Sequence, residues 1–309
     1  MTASVVMATV AVCAPSWLTA ARAAQEPTLE EVLGRAAEYV AAYQRDFGSL
    51  IADEHYMQSV DGGRSRRMES ELLVFSPPED GRWLVFRDVI TVDGKPVPDR
   101  DQGLADLFRE TPVVPAALEL KLRAASARYN IGFITRDLNL PTMVLHLLTA
   151  EDQPRLAFEW AGEVQLDGID TWEVAYRAVE PPALIRDAQG QDLLAHGSVW
   201  IEPSTGRIVQ TALRVEDDAI GLTIEMDVRY APIPDLGILV PVTMTERYAV
   251  DLKVLPSQST DRGPTVSERR PSQRQFLTQT RMTIECEAVY SNFRSFVVEV
   301  NFATSPSRR

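Results

Sequence analysis

Alternation of apolar and polar residues, sustained over eleven positions, is the feature that most constrains this chain. Ile220, Leu222, Ile224, Met226, Val228 and Tyr230 interleave with Gly221, Thr223, Glu225, Asp227 and Arg229. Successive side chains of a β-strand point to opposite faces, so such a segment is a strand with one buried and one solvated face. On a helix the same residues would be scattered around the whole surface. The pattern recurs within residues 240–254, through Val242, Met244, Tyr248, Val250 and Leu252, and again at Met282, Ile284, Cys286, Ala288 and Tyr290.

Period two also organises the rest of the chain. Residues 51–60, 68–77 and 82–92 read as three strands, separated by the turn sequences Asp61-Gly62-Gly63 and Pro77-Pro78-Glu79-Asp80-Gly81. In the third, Leu84, Phe86, Ile90 and Val92 are expected to share a face that Asp88 interrupts. Residues 156–166 and 169–177 flank Asp167-Gly168, a two-residue hairpin signal. Residues 194–202 and 207–216 flank Pro203-Ser204-Thr205-Gly206, and 296–302 closes the chain. The count is about eleven strands.

Helical spacing appears in two places. Thr28 and Glu31 have the spacing of a capping box, followed by the stripe Leu29, Val32, Leu33, Ala36, Val40, Tyr43 and Phe47, with Gly48 as a stop. A helical insert occupies about 101–150: Leu104, Leu107 and Phe108; then Pro115 opening a stripe of Leu118, Leu122, Ala125 and Tyr129 that ends at Gly132; then Met143, Leu147 and Leu148. Strands do not alternate with helices, which excludes doubly wound and (β/α)8 folds. The expectation is an α+β fold, mainly a large curved antiparallel sheet covering its helices. A closed barrel would leave those helices no apolar surface.

Residues 2–21 carry no charge and include the apolar run 5–12, and Ala21-Arg22-Ala23 places small residues where a signal peptidase reads. A signal peptide over 1–23, cut after Ala23, is therefore expected, giving a periplasmic or secreted protein with one β-rich domain over 24–309. No Lys or Arg precedes the apolar run, which is unusual for a leader; an uncleaved anchor, or lipidation at Cys13, is the alternative. No later segment approaches the length of a transmembrane helix. Without the leader Cys286 is the only cysteine, and its alternating position makes it a core residue. A formal net charge of −13 disfavours nucleic acids and anionic membranes as partners. Residues 256–275, rich in Pro, Ser and Arg and lacking any period, read as a mobile loop.

No reaction is specified. His55, His146 and His196 show no metal-ligand spacing, and no second cysteine is present for zinc. A Cys286 nucleophile would sit on a strand, away from any helix N-terminus that lowers a thiol pKa. There is no Gly-x-Ser-x-Gly elbow and no phosphate loop at Gly62-Gly63, and Asp99 and Asp101 lack the rest of a calcium ladder. The expectation is no catalytic residue, no metal, no cofactor and no enzymatic activity.

Two phrases carry a family resemblance: Val199-Trp200-Ile201-Glu202-Pro203-Ser204-Thr205-Gly206-Arg207 and Ala288-Val289-Tyr290-Ser291-Asn292-Phe293-Arg294. With the order helix, three strands, helical insert and antiparallel meander, they resemble the LolA/LolB-like superfamily of periplasmic lipoprotein carriers. The resemblance implies an unclosed barrel of about eleven strands around a helical lid, holding acyl chains or another hydrophobic ligand. Physically, an incompletely filled gap between curved sheet and helices is a concave apolar site. Leu84, Phe86, Trp172, Leu222, Met226, Tyr230 and Met244 are the expected lining residues. The chain departs from the carriers in its length and its 256–275 loop, and the carriers' functional arginine has no clear counterpart. The alternative is a non-catalytic envelope module that binds a protein partner, through Arg262, Arg269, Arg270 and Arg274 of that loop. A third reading, a hydrolase, requires a histidine gathered with a carboxylate and a nucleophile.

Overall fold

A computed structural model of the protein describes residues 26–46, 49–75, 84–98, 116–134, 136, 139–186, 190–233, 238–254 and 278–295. The leader, the first insert helix, the 256–275 loop and the 296–302 strand expected from the sequence lie outside the described residues.

The first helix, α1 (Leu29–Asp46), starts where its cap demands. The Glu31 amide donates to Thr28 Oγ1 at 3.2 Å and the Thr28 amide donates to Glu31 Oε2 at 2.8 Å, satisfying two orphan donors reciprocally. Val32, Ala36, Val40 and Tyr43 form its buried stripe. The strands follow: β1 (Ser49–Val60), β2 (Arg64–Phe75), β3 (Leu84–Val92) and the two-residue β4 (Lys95–Pro96). Helices α2 (Ala116–Ala127) and α3 (Met143–Leu147) come next, then β5 (Leu156–Leu166) and β6 (Ile169–Ala178). The rest are β7 (Ile185–Arg186), β8 (Asp192–Leu193), β9 (His196–Ile201), β10 (Ile208–Asp217), β11 (Leu222–Pro232), β12 (Leu239–Val254) and β13 (Thr278–Ser295).

Eleven of these strands form one antiparallel sheet in the order β4-β3-β2-β1-β13-β12-β11-β10-β9-β6-β5, while β7 and β8 make a separate small ribbon. The last strand joins the two halves, because β13 pairs with β1 on one side and β12 on the other. The end strands β4 and β5 do not pair with each other, so the sheet is unclosed, as the sequence led us to expect. Hairpin geometry follows the turn residues: Asp167 and Gly168 both take positive φ (51° and 82°), the mirror-image turn that matches strand twist. Ile220 falls in the turn before β11, 52 % exposed, so the alternation that begins there belongs to the strand only from Leu222.

The inner face carries the core. α1 and α3 pack on it: Val32, Ala36, Val40, Tyr43, Met143, Val144 and Leu145 share one cluster with Val174, Val199, Leu213, Met226, Met244 and Ala288. A glycine fixes how α1 docks. Gly206, at φ +76°, lies so close that an added Cβ would stand 2.3 Å from the Arg35 carbonyl carbon and 2.6 Å from the Ala36 nitrogen. Arg35 then reaches over the turn to donate to the Pro203 carbonyl at 2.6 Å. The exposed backbone edge of β3 is covered by α2, whose Ser126 hydroxyl accepts from the Arg87 amide (3.0 Å) and donates to the Arg87 carbonyl (3.1 Å). One side chain thereby satisfies two edge groups that would otherwise invite another strand.

Candidate functional site

One band of the inner face is not apolar. Glu54, Gln58, Arg87, Arg136, Asn139 and Glu246 are buried there, with Tyr56, Tyr248 and Tyr290. Strand register places them side by side: Ser70 pairs with Glu54 and Leu72 with Ala52, Glu54 with Tyr290, Gln58 with Cys286, and Cys286 with Glu246. Paired residues in an antiparallel sheet share a face, so the band runs across β2, β1, β13 and β12.

At one end Arg87 forks onto Glu54, Nη2 donating to Oε1 at 2.7 Å and Nε to Oε2, with its guanidinium 4.4 Å from the Tyr56 ring centroid. Burial works against the Arg87 charge, but the Glu54 carboxylate outweighs it and holds the pKa above its ordinary value. At the other end Glu246 accepts from three donors: Tyr248 Oη at 2.5 Å, Tyr56 Oη at 3.1 Å and Asn139 Nδ2 at 3.3 Å. Burial pushes the Glu246 carboxyl above its ordinary range, opposed by the Tyr248 hydroxyl, the charges of Arg87 and Arg136, and Asn139. Cys286, beside it, is pushed up to about 11 by burial and then by Glu246, so it is a neutral thiol at physiological pH.

Residues 129–134, 136 and 139–148 form a roof over this band. Gln58 Oε1 accepts from the Ile131 amide at 3.0 Å and from Arg136 Nη2, while Tyr230 Oη donates to the Pro141 carbonyl at 2.6 Å. Asn139 Nδ2 also donates to Tyr56 Oη at 2.9 Å. Gly132, which the sequence suggested as a helix stop, lies beyond the end of α2 and presses on β13: an added Cβ would meet Ile284 Cδ1 at 2.2 Å. Arg136 stands over the Tyr248 ring, 5.2 Å from its centroid, and its Nε has no hydrogen-bond partner among the described residues. Side chains, not strand pairing, thus tie roof to sheet.

The seven residues expected to line a ligand site do not all share this face. Trp172, Leu222, Met226, Tyr230 and Met244 do: Met226 pairs with Glu246 and Leu213, Met244 with Ala288 and Val228, and Trp172 with Ile201. Leu84 and Phe86 lie on the opposite face, where Phe86 aligns with Leu73 and Leu73 with Ile51, all three buried and outside the main core cluster. The reason is a bulge. The β2–β3 register shifts between the Glu69↔Thr91 and Ser70↔Val89 pairs, leaving Ile90 as the extra residue. Val92 keeps the inner face, and Val85, Arg87 and Val89 take the inner positions that a regular strand would have refused them.

At least three cavities are lined by described residues. One of about 530 Å³ opens on the outer face, with Glu225, Asp227, Glu285 and Glu287 around Arg247, and is also bordered by Gln58, Glu246 and Cys286 of the strands that carry the band. A second, also about 530 Å³, lies between the start of α1 and the Pro203-Ser204 turn, and a small one flanks Pro182. None of the seven expected residues lines these three. His55 is exposed, His146 sits in α3 with its pKa lowered by burial, and His196 opens β9. Among the described residues no group of three or more His, Cys, Asp or Glu could hold a metal ion.

The buried polar band was not singled out from the sequence, although one signal was present. The inward alternation of β12 runs Val242, Met244, Tyr248, Val250, and the position skipped is Glu246. Glu54 similarly stands between the inward Ala52 and Tyr56. Arg136 and Asn139 belong to irregular backbone, where no period marks a side chain as buried.

The fold and its band define a class: an unclosed antiparallel sheet with a helical roof over a partly polar inner face. No family model matches the sequence, and no curated protein is similar to it. Among solved structures the chain is similar to a DUF1329 family protein from Desulfovibrio piger, with 12% identity over 89% of this chain and 94% of that one and a TM-score of 0.35. It is similar to a LolA superfamily protein from Nitrosomonas europaea, with 9% identity, 88% and 96% covered and a TM-score of 0.34. An outer membrane lipoprotein-sorting protein domain from Vibrio parahaemolyticus matches at 11% identity, 86% and 95% covered and a TM-score of 0.33. Among the described residues no helix is long and apolar enough to cross a membrane.

Proposed function

We propose that the protein binds or carries a hydrophobic ligand, such as a lipid or a lipoprotein acyl chain, between the inner face of the sheet and the roof. One observation carries the reading. Beside α1, the largely apolar inner face of an unclosed sheet is covered by a short helix and irregular chain held through side-chain hydrogen bonds. Lifting such a cover breaks no strand ladder, and each hook lost costs about 0.5–1.5 kcal/mol net. The surface then exposed is what an apolar chain would bury, at about 25 cal/mol per Å². Trp172, Leu222, Met226, Tyr230 and Met244 are the lining residues of this proposal; Leu84 and Phe86 are not.

The uncharged stretch 2–21 and Ala21-Arg22-Ala23 support export, with residues 24–309 acting as one domain in the periplasm or outside the cell. The test is calorimetric titration of delipidated protein with lysophosphatidylcholine and with twelve-carbon amphiphiles. Saturable binding with a negative heat-capacity change is expected. Absence of saturable binding to every amphiphile overturns the reading.

A further inference from the structure

If a ligand takes the place of the roof, it must replace what the roof supplies to the polar band. The sheet contributes Glu54, Arg87 and Glu246, two carboxylates against one guanidinium, and Arg87 is committed to Glu54 by two bonds. The roof brings the balancing charge, Arg136, and it brings donors. Asn139 donates to Glu246 and Tyr56, while Arg136 and the Ile131 amide donate to Gln58 Oε1. When the roof lifts, the floor keeps a carboxylate with no ion-pair partner and a Gln58 carbonyl stripped of two donors. These lie beside the apolar Met226, which pairs directly with Glu246. A pure hydrocarbon leaves the Gln58 carbonyl unpaired, at about the cost of a buried unsatisfied group, and leaves the Glu246 carboxylate with only its two tyrosine donors and no cation from the roof. An anionic head group adds like-charge repulsion in a site of low polarity.

We infer that the ligand class is an amphiphile with a cationic, hydrogen-bond-donating head group, a primary ammonium or guanidinium on an apolar chain. Its head occupies the place of Arg136 and Asn139, against Glu246 and Gln58, and its chain lies along Met226 and Met244. This inference rests on the hydrophobic-ligand reading above and adds the chemistry of the head group to it.

The test is a head-group series at constant chain length on the full mature protein: dodecylamine, dodecyltrimethylammonium, dodecanol and dodecanoate, titrated at neutral pH. Dodecylamine is expected to bind about tenfold or more tightly than dodecanoate, the scale of one discriminating polar interaction. It is also expected to outbind dodecyltrimethylammonium, which has the charge but no N–H. That comparison separates the site from general attraction to an acidic protein. In Glu246→Gln the advantage over dodecanoate should collapse while dodecanol binding persists. Equal affinities across the series, or tighter dodecanoate, overturn the inference and leave the hydrophobic-ligand reading standing. So does an ammonium preference that survives in Glu246→Gln. If no amphiphile binds, both fall. Should Glu246→Gln fail to fold, the wild-type series decides alone.

Discussion

The side-chain amide of Asn139 reaches Glu246 at 3.3 Å, so irregular chain from the insert is hydrogen-bonded to the centre of β12 inside the core. The contact spans 107 residues of sequence and joins two parts of the fold that share no strand pairing. Everything proposed for this protein turns on such contacts between roof and sheet being the ones that yield.

Asn139→Ala removes the donor to both Tyr56 and Glu246 and leaves a buried carboxylate one partner short. A loss of about 1–3 kcal/mol is expected from urea unfolding. Hydrogen exchange should also speed up selectively at the Ile131 amide, whose acceptor Gln58 lies under the same roof. Unchanged protection at Ile131 alongside a loss in stability would mean that the roof does not move as a unit.

Glu246 gives the fold a signed pH dependence. Burial first of all raises its pKa above the ordinary 4.5, so the folded chain holds this proton more tightly than the unfolded chain does. Its contribution to stability is therefore fully present below pH 4.5 and is lost as pH rises through the raised value. Glu246→Gln cannot titrate. The unfolding free energy of the wild type minus that of the variant should fall across this window, and a difference flat with pH would contradict the assignment.

The Glu54–Arg87 pair is buried on both sides, with 0% and 1% side-chain exposure respectively. Removing one partner strands the other charge. Glu54→Leu and Arg87→Met are each expected to cost about 3–5 kcal/mol, whereas the two combined should recover most of that loss. Denaturant midpoints for the cycle check this; additive losses would show that the ion pair is not what holds the two side chains there.

Much of the fold was legible because it follows from period. α1, its capping box, the Asp167-Gly168 hairpin and the strand from Leu156 to Leu166 all obey local rules, and each stands where those rules put it. Leu84 and Phe86 could not be placed the same way, since the extra residue at Ile90 reverses facing and a bulge leaves no mark in the apolar pattern. The polar band was harder still. Its members are scattered from Glu54 to Glu246 and are brought together by β13, whose pairing with both β1 and β12 is a long-range event.

Gly206 illustrates a residue whose role was half visible. The sequence places it in the turn after Pro203, where it takes φ +76°, but the approach of the α1 backbone adds a second reason for glycine that only the packing reveals. Gly206→Ala should cost about 2 kcal/mol or more, combining left-handed strain with a clash against Arg35 and Ala36. By contrast Gly168→Ala, at positive φ with nothing within 4 Å, should cost only the strain. Thermal midpoints of the two variants measure the difference, and equal losses would remove α1 docking from the account.

The central claim concerns a place, the space between inner face and roof, and the most direct measurement is a crystal structure of the delipidated protein soaked with dodecylamine. The account predicts the alkyl chain along Met226 and Met244, the ammonium within hydrogen-bond distance of Glu246, and Asn139 displaced from it. An amphiphile bound only in the outer-face groove around Arg247, with Asn139 still on Glu246, would contradict it.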